Sequence, residues 1–249
     1  MKDAMPDHDL RLEDLSKSFG STAALVECNA VIPRGATVAL VGSNGAGKST
    51  LMSIIAGLLA PSSGRVLIDG NPVDAGCIPD HLAFLTQDRP LYRSFTVNEM
   101  IRASEALNVD WDIAYARELI DAAGIDRKAR IKTLSGGQHS RVAIALALAQ
   151  RPSVLLLDEP MSDLDPVARR QVRDLLAAET RTNGTTTILS SHIVTELADH
   201  CDHLLMIDKG RILASGALDN LLPETRSTAE RATALEEFVV QRLAGGVSA

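Results

Sequence analysis

The stretch "GSNGAGKST", residues 42–50, constrains the fold of this chain more than any other feature of the sequence. It fits the pattern G-x-x-x-x-G-K-[ST], and it lies between the apolar run "TVALV" and a segment with helical periodicity. Glycines in such a loop let the backbone wrap around phosphate groups, and the N-terminus of the following helix attracts their negative charge. The stretch therefore predicts a strand–loop–helix unit that binds the phosphates of a nucleotide.

Two side chains of this loop have predicted chemical tasks. Lys48 can reach the β- and γ-phosphates, and Ser49 can supply a hydroxyl ligand to Mg²⁺. The alternative is a glycine-rich turn that binds nothing, and the strand–loop–helix context disfavours it. The candidate nucleotide-binding residues of the loop are Gly42, Ser43, Asn44, Gly45, Ala46, Gly47, Lys48, Ser49 and Thr50.

A second apolar run, "SVLLL", ends in two carboxylates, Asp158 and Glu159. Charged groups at the end of a buried strand cost free energy unless they are paired or bind a ligand. Asp158 suits the coordination of Mg²⁺, and Glu159 suits the orientation or deprotonation of an attacking water. An acidic pair at a strand end can also be a helix N-cap, but the phosphate loop upstream favours the catalytic interpretation.

Two further strand-like runs end in polar residues that could join this site. "LAFLTQ" ends in Gln87, whose amide could reach Mg²⁺ or the attacking water, and "LSSH" ends in His192, a candidate for a contact to the γ-phosphate. Ligands of α/β sheets bind at the carboxyl ends of strands, which favours both assignments. A solvated loop residue is the alternative for Gln87, and a structural histidine is the alternative for His192.

The stretch "TLSGGQHSRVAIALALAQ", residues 133–150, has the features of another anion site. Two glycines follow Ser135, and a long apolar helix is predicted just after them. Free backbone N–H groups at the start of a helix bind anions, and glycine side chains do not obstruct the approach. The sequence therefore contains two predicted phosphate-binding loops, and the residues alone do not say what the second one binds.

The remaining patterns predict an α/β fold with a P-loop NTPase core. Short β-type runs before the phosphate loop predict antiparallel strands, and strands alternating with helices after Pro152 predict a mainly parallel sheet. Helices are predicted from Lys48 to Leu59, from Pro166 to Arg181 and from Ile193 to Asp199. The predicted boundaries within one domain of residues 1–249 are 9–87 and 151–216 for the nucleotide-binding core, 88–150 for an inserted helical subdomain and 217–249 for a helical tail.

The composition limits the partners of the chain. The net charge is -7 and the pI is about 5.4, so nucleic acid is not an expected partner. The sequence has no apolar run of about 18 residues and no N-terminal signal peptide pattern, so contact with a membrane is expected only through another protein. Cys28, Cys77 and Cys201 have no metal-ligand spacing, and we expect buried free thiols.

Taken together, "GSNGAGKST", Gln87, "LSGGQ", "VLLLDE", "SDLD" and His192 resemble the motifs of the ATP-binding cassette (ABC) ATPase family, in the order in which that family has them. The resemblance covers about residues 9–216. It implies that two such domains stack head to tail, with each ATP between the phosphate loop of one and the signature loop "LSGGQ" of the other. It thereby implies that Ser135, Gly136, Gly137 and Gln138 bind the ATP that the partner holds.

The resemblance assigns tasks to two further residues. Phe19 in "KSFG" stands where the family stacks an aromatic ring on adenine, although the family more often has tyrosine there. A phenylalanine of the hydrophobic core is the alternative for this position. Asp165 in "SDLD" would belong to the loop that links the two ATP sites across the dimer.

The resemblance implies an ATPase that uses ATP and Mg²⁺ as a subunit of an ABC transporter. Its expected partners are separate integral-membrane permease subunits and a second copy of itself, although a heterodimer is also open. The region around His192 resembles subunits of multidrug and antibiotic exporters, so export is the expected direction. A helix of the membrane partner is expected to dock near residues 87–99. The expected location is the cytoplasm, at the inner face of the cell membrane.

Two alternatives to a transporter subunit remain open at this point. The iron–sulfur assembly ATPase of the same family is similar in size and functions without transport. A nucleotide-binding module that no longer hydrolyses ATP is the other alternative, and the presence of Gln87, Glu159 and His192 disfavours it. The sequence does not identify the transported substrate, which in such systems contacts the membrane partner.

Overall fold

The computed structural model describes residues 8–191, 197–198, 200–222 and 228–245. The first strands form an antiparallel sheet made of β1 (His8–Phe19), β2 (Thr22–Pro33), β4 (Ser63–Ile68) and β5 (Asn71–Pro72). The strand order is β2-β1-β4-β5. β4 and β5 form a hairpin around Asp69 and Gly70, and both residues have positive φ angles, 49° and 78°. This sheet covers one side of the core.

The second sheet contains the strands whose carboxyl ends carry the candidate site residues. Its strands are β3 (Thr37–Val41), β6 (Leu82–Leu85), β7 (Val154–Leu157), β8 (Thr186–Ser190), β9 (His203–Asp208) and β10 (Arg211–Ala217). They lie in the order β10-β9-β3-β8-β7-β6, and all neighbours are parallel except β9 and β10. The predicted fold class, a mainly parallel core with an N-terminal antiparallel part, is confirmed.

The described helices pack against these sheets and against each other. They are α1 (Lys48–Ile55), α2 (Val97–Leu107), α3 (Ile113–Ala122), a 3₁₀ turn (Ile131–Thr133), α4 (Gly136–Leu148), α5 (Pro166–Asn183), α6 (Leu218–Leu221) and α7 (Thr228–Gly245). The prediction that α1 extends to Leu59 is wrong. Gly57 ends the helix with φ of 71°, and a Cβ there would lie 2.1 Å from the Cys77 carbonyl oxygen.

The parallel sheet separates two hydrophobic clusters because successive side chains of a strand point to opposite faces. Val38 and Leu40 pack with α1 and the antiparallel sheet, whereas Ala39 and Val41 pack with α4, α5 and α7. A third cluster lies among α2, α3 and α4. Helix α4 contributes side chains both to the cluster that contains Ala39 and Val41 and to this third cluster, which explains why "VAIALALA" is apolar all round.

The prediction that all three cysteines are buried is wrong for one of them. Cys28 and Cys201 are buried free thiols, but Cys77 is exposed, because it lies on an irregular loop after β5 that covers the end of α1 with its backbone. Most of the helix predicted from Ile193 to Asp199 lies outside the described residues.

Along the described parts of the chain, no helix combines the length and the apolar character that crossing a bilayer requires.

Candidate functional site

The phosphate loop connects β3 to α1, and two of its glycines allow close backbone contacts. A Cβ at Gly42 would lie 2.1 Å from the Ile207 carbonyl oxygen, and one at Gly47 would lie 2.7 Å from the Ala24 carbonyl oxygen. Gly47 also has φ of 109°, a left-handed conformation that strains other residues. Backbone carbonyl groups of β9 and β2 therefore lie directly against the loop. The segment of the loop from Ser43 to Gly45 is exposed.

Lys48 begins α1 and points back into the loop. Its ammonium group donates hydrogen bonds to the carbonyl oxygens of Gly42 and Ser43 at 2.7 and 3.0 Å. Burial lowers the pKa of Lys48, and the negative charges of Glu159 and Asp158 oppose this shift. The positive charge of Lys48 thus lies where the sequence predicts the β- and γ-phosphates.

Asp158 follows β7 and lies beside the phosphate loop. The Ser49 hydroxyl donates to Asp158 Oδ2 at 2.8 Å, and the Ser190 hydroxyl donates to Asp158 Oδ1 at 2.6 Å. A hydroxyl oxygen and a carboxylate side by side are the kind of oxygen ligands that Mg²⁺ binds, usually together with waters and nucleotide phosphates. The chemistry of this pair fits a magnesium ion, and Ser49 and Asp158 would hold it.

Glu159 has an unusual backbone conformation, with φ of 50°. Its N–H donates to the Ser190 hydroxyl oxygen at 2.9 Å, and its carboxylate accepts a hydrogen bond of 3.4 Å from the Gln87 side-chain amide. Because β6, β7 and β8 are parallel neighbours, their carboxyl ends bring Gln87, Glu159 and Ser190 together. Gln87 therefore lies at the same edge of the sheet as Glu159 and is not an isolated loop residue.

The signature loop forms a separate anion-binding geometry at the start of α4. The Ser135 hydroxyl accepts from the Gln138 N–H at 3.2 Å, and the Gln138 side chain accepts from the Ser135 N–H at 3.0 Å, which makes a capping box. None of the hydrogen bonds found among the described residues uses the N–H of Gly136 or Gly137. Ser135 and Gly136 are exposed, so these donors can meet a ligand from outside the chain.

The sequence predicts three further site residues, Phe19, Asp165 and His192. Phe19 ends β1 with 51 % of its surface exposed and with the Lys17 ammonium 5.1 Å from its ring centre, so it is not a core residue. The Asp165 carboxylate caps α5 by accepting from the N–H groups of Val167 and Ala168, both at 2.9 Å. His192 lies outside the described residues.

Sequence reasoning missed three groups that shape the site. Ser190 lies in the run "LSSH", in which the sequence singles out only His192, yet its hydroxyl joins Asp158 to the Glu159 backbone. Asp208 ends β9 and accepts from the Ser43 hydroxyl at 2.7 Å. Arg89, two residues after Gln87, is buried and donates to groups on three segments, whereas the sequence predicts for its segment only the docking of a helix of the membrane partner.

Comparisons with known proteins identify the family to which the chain belongs. Residues 25–162 match the ABC transporter family. The chain is 36 % identical over 236 residues to the aliphatic sulfonates import ATP-binding protein SsuB of Shigella flexneri, an alignment that covers 94 % of this chain and 90 % of that protein. It is 32 % identical to an uncharacterized ABC transporter ATP-binding protein of Nostoc sp., and there it covers 80 % of this chain but spans only 61 % of that protein.

Among solved structures, the dimeric structure of the bacterial ABC transporter cassette MJ0796 superposes with a TM-score of 0.75 at 25 % identity. The match covers 84 % of this chain and 98 % of that chain. The same cassette has been solved as a dimer in a post-hydrolysis state bound to ADP and Pi. The name of the sulfonate relative describes import, so the expected resemblance to exporters is not supported.

Proposed function

The chain belongs to the ABC transporter family and is an ATPase that binds ATP and Mg²⁺, and we propose that two copies of it close around ATP to drive separate membrane subunits. Proteins of this family work with membrane permease subunits and dimerise. The observation that carries the proposal is the convergence of Lys48, Asp158 and Glu159 at one edge of the parallel sheet, beside an exposed phosphate loop.

Within one chain, we assign binding and hydrolysis to different groups. Lys48 neutralises the β- and γ-phosphates, while Ser49 and Asp158 hold Mg²⁺, which offsets the negative charge of the phosphates when it is bound. Glu159 accepts a proton from the attacking water, and Gln87, 3.4 Å away, orients that water or completes the Mg²⁺ ligands. The proposal keeps His192 as a contact to the γ-phosphate.

Across the dimer, the signature loop of one chain completes the site of the other. The N–H groups of Gly136 and Gly137 point out at the start of α4, where the helix dipole favours a negative charge. We assign them, with Ser135 and Gln138, to the γ-phosphate of ATP on the partner's phosphate loop. Phe19 is assigned to adenine stacking, which its exposed ring permits, and Asp165 to the loop that connects the two sites.

A groove between the core and the helices suits the membrane partner. It has a volume of about 780 Å³, and its lining includes Arg89, Pro90 and Leu91 from the predicted docking segment. Sequence analysis missed much of the remaining lining, which includes the exposed apolar residues Leu58, Ile78, Leu107 and Val109. Exposed apolar surface of this kind is typical of protein interfaces. We assign this groove to a helix of the permease subunit, which would hold the chain at the inner face of the membrane.

The direction of transport in this proposal is import. It follows the sulfonate import relative, which aligns over nearly the full length of both proteins. The iron–sulfur assembly alternative is not favoured, because the named relatives are transporter subunits.

The proposal is tested with Glu159→Gln, which keeps the side-chain size and removes the base. We expect ATP binding within about twofold of the native protein, turnover reduced by about 100-fold or more, and an ATP-dependent dimer in size-exclusion chromatography. Glu105→Gln is the matched control, because Glu105 is an exposed residue of α2. Turnover at the native rate in Glu159→Gln would refute the assignment of the base.

A test of the transport role requires the native membrane partner. Tagged Glu159→Gln protein is purified from its own cells in mild detergent with ATP, and co-purifying proteins are identified by mass spectrometry. We expect a polytopic membrane protein. Recovery of soluble partners alone would contradict a transporter subunit, and outward transport by the reconstituted complex would overturn import.

A further inference from the structure

Arg89 is a buried arginine whose side chain contacts three other segments of the site. Its side chain is 4 % exposed, although it lies in the loop that follows Gln87. One terminal nitrogen, Nη1, donates to the Ser140 hydroxyl at 2.8 Å and pairs with Asp163. The other, Nη2, donates to the Glu159 carbonyl oxygen at 2.6 Å and to the Ser162 hydroxyl at 2.7 Å. The guanidinium thus contacts α4, the end of β7 and the loop before α5.

Burying a guanidinium is costly, so its partners indicate what the structure gains from it. A buried charge is tolerated when it is paired and its donors are used. The two terminal nitrogens of Arg89 meet this condition with one carboxylate, two hydroxyls and one backbone carbonyl, whereas its Nε has no hydrogen-bond partner among the described residues. Lysine has no planar fork, so it could not donate to these acceptors in the same arrangement.

The contact with the Glu159 carbonyl matters because the Glu159 backbone is in a left-handed conformation. Its φ of 50° is uncommon for a residue with a side chain, and such conformations persist only when the surroundings hold them. The Ser190 hydroxyl holds the N–H of Glu159, and Arg89 holds its C=O. Both peptide groups that flank the Glu159 side chain are therefore fixed from outside.

The other contacts of Arg89 lead to the signature loop. Ser140 lies on α4, one turn after Gly136, and its hydroxyl donates to the Gly136 carbonyl at 3.0 Å. A Cβ at Gly136 would lie 3.4 Å from the Asp163 Cβ, so the ion-pair partner of Arg89 packs against the signature loop itself. Arg89 therefore contacts both the carbonyl of Glu159 and the residues that pack under the loop assigned to the partner's ATP.

We propose that Arg89 is a positioning residue that sets the backbone of Glu159 for hydrolysis and ties it to the signature loop through Ser140 and Asp163. Because Arg89 lies in the segment that also lines the permease groove, it connects that groove to the catalytic glutamate. This inference rests on the proposed role of Glu159 as the base.

The test compares Arg89→Met and Arg89→Lys with the native chain. Arg89→Met keeps an apolar stem but removes all four contacts, and we expect kcat to fall about 10- to 100-fold, the size of effect that a small misplacement of a catalytic group produces. KM and the affinity for ATP should stay within about twofold, because the phosphate loop is not among the contacts of Arg89. Arg89→Lys should recover part of kcat.

The matched control is Arg127→Met, which breaks the ion pair of 2.9 Å between Arg127 and Asp121 away from the site. It should keep native kcat. If Arg89→Met does not fold, Arg89→Lys carries the test with an expected loss of about three- to tenfold in kcat at unchanged KM. Native kcat in a folded Arg89 variant, or a loss of ATP affinity as large as the loss of kcat, would overturn the inference.

A double-mutant cycle separates positioning from a general structural effect. In the Glu159→Gln background, Arg89→Met should cause little further loss, because the group that Arg89 positions is already inactive. Losses that add fully would show that Arg89 acts elsewhere, and they would overturn the inference while leaving the role of Glu159 intact. Native turnover by Glu159→Gln alone would instead refute the proposed base, and the inference with it.

Discussion

At the scale of single residues, Lys48 shows how burial and charge are balanced at the site. Removing an ammonium group from water favours its neutral form, and this effect lowers the pKa of Lys48. Glu159 and Asp158 favour the charged form and act against it. Nucleotide phosphates would add negative charge at the same place, so we expect bound ATP to stabilise the ammonium form further.

The corresponding prediction concerns Lys48→Ala. We expect the affinity for ATP to fall by about 10- to 100-fold, because a charge-assisted contact of about 1.5–3 kcal/mol is lost. Isothermal titration calorimetry with ATP and Mg²⁺ measures the change. Lys128→Ala, at an exposed lysine of the helical region, is the control, and native affinity in Lys48→Ala would contradict the phosphate-loop assignment.

At the scale of elements, α5 is joined to the helical region by a buried polar contact. Glu179 of α5 accepts from the Tyr115 hydroxyl of α3 and from the Asn183 side chain, and the Arg151 guanidinium lies over the Tyr115 ring. Burial raises the pKa of Glu179 above its ordinary value, and the hydrogen bond from Asn183 acts against this shift. The junction between the parallel core and the helices thus contains a carboxyl group that resists ionisation.

This raised pKa predicts a pH dependence of stability. As the pH rises above the ordinary carboxyl range, the unfolded chain loses the Glu179 proton first, so the native state binds more protons and the free energy of unfolding falls. The fall continues until native Glu179 has also ionised. Urea denaturation between about pH 4 and pH 8 should show this trend for the native chain and less of it for Glu179→Gln. An identical slope in both proteins would contradict the prediction, and Glu105→Gln is the exposed control.

At the scale of the whole molecule, the phosphate loop and the signature loop have different surroundings. The phosphate loop uses the edge of the parallel sheet, whereas the signature loop opens to solvent at the start of α4 with its N–H donors free of partners among the described residues. A chain with one site for its own ATP and one for the partner's is self-complementary, which is what a two-fold dimer requires. In the proposed dimer, ATP would stabilise the assembly by mass action.

The prediction at this scale is that Ser135→Arg separates binding from dimerisation. Each chain should bind ATP with native affinity, because the phosphate loop is intact, but a large side chain at the exposed cap should block the approach of the partner's nucleotide. Analytical ultracentrifugation of Glu159→Gln with and without Ser135→Arg measures the dimer. Thr182→Arg, at an exposed position of α5, controls for the added charge. An undiminished ATP-dependent dimer would contradict the assignment of the signature loop to the partner's ATP.

The sequence by itself determined the features that consecutive residues create. The phosphate loop, the capped start of α4 and the apolar strands that end in Gln87 and Asp158 follow from local patterns, because backbone N–H groups and strand ends are arranged by neighbouring residues. The α/β fold could be predicted for the same reason, since strand and helix periodicities alternate along the chain. The residues near His192 led to the expectation of export, which the sulfonate import relative does not support.

Only the tertiary structure decided which distant groups meet. Ser190 reaches Asp158 and Glu159 because β7 and β8 are adjacent, and Arg89 reaches Ser140 and Asp163 because its loop folds beneath α4. Local periodicity could not reveal a buried arginine in a polar segment, nor an exposed cysteine at position 77. The physical reason is that burial and hydrogen-bond partners depend on the packing of elements far apart in the chain, whereas the pattern of the phosphate loop is formed by consecutive residues.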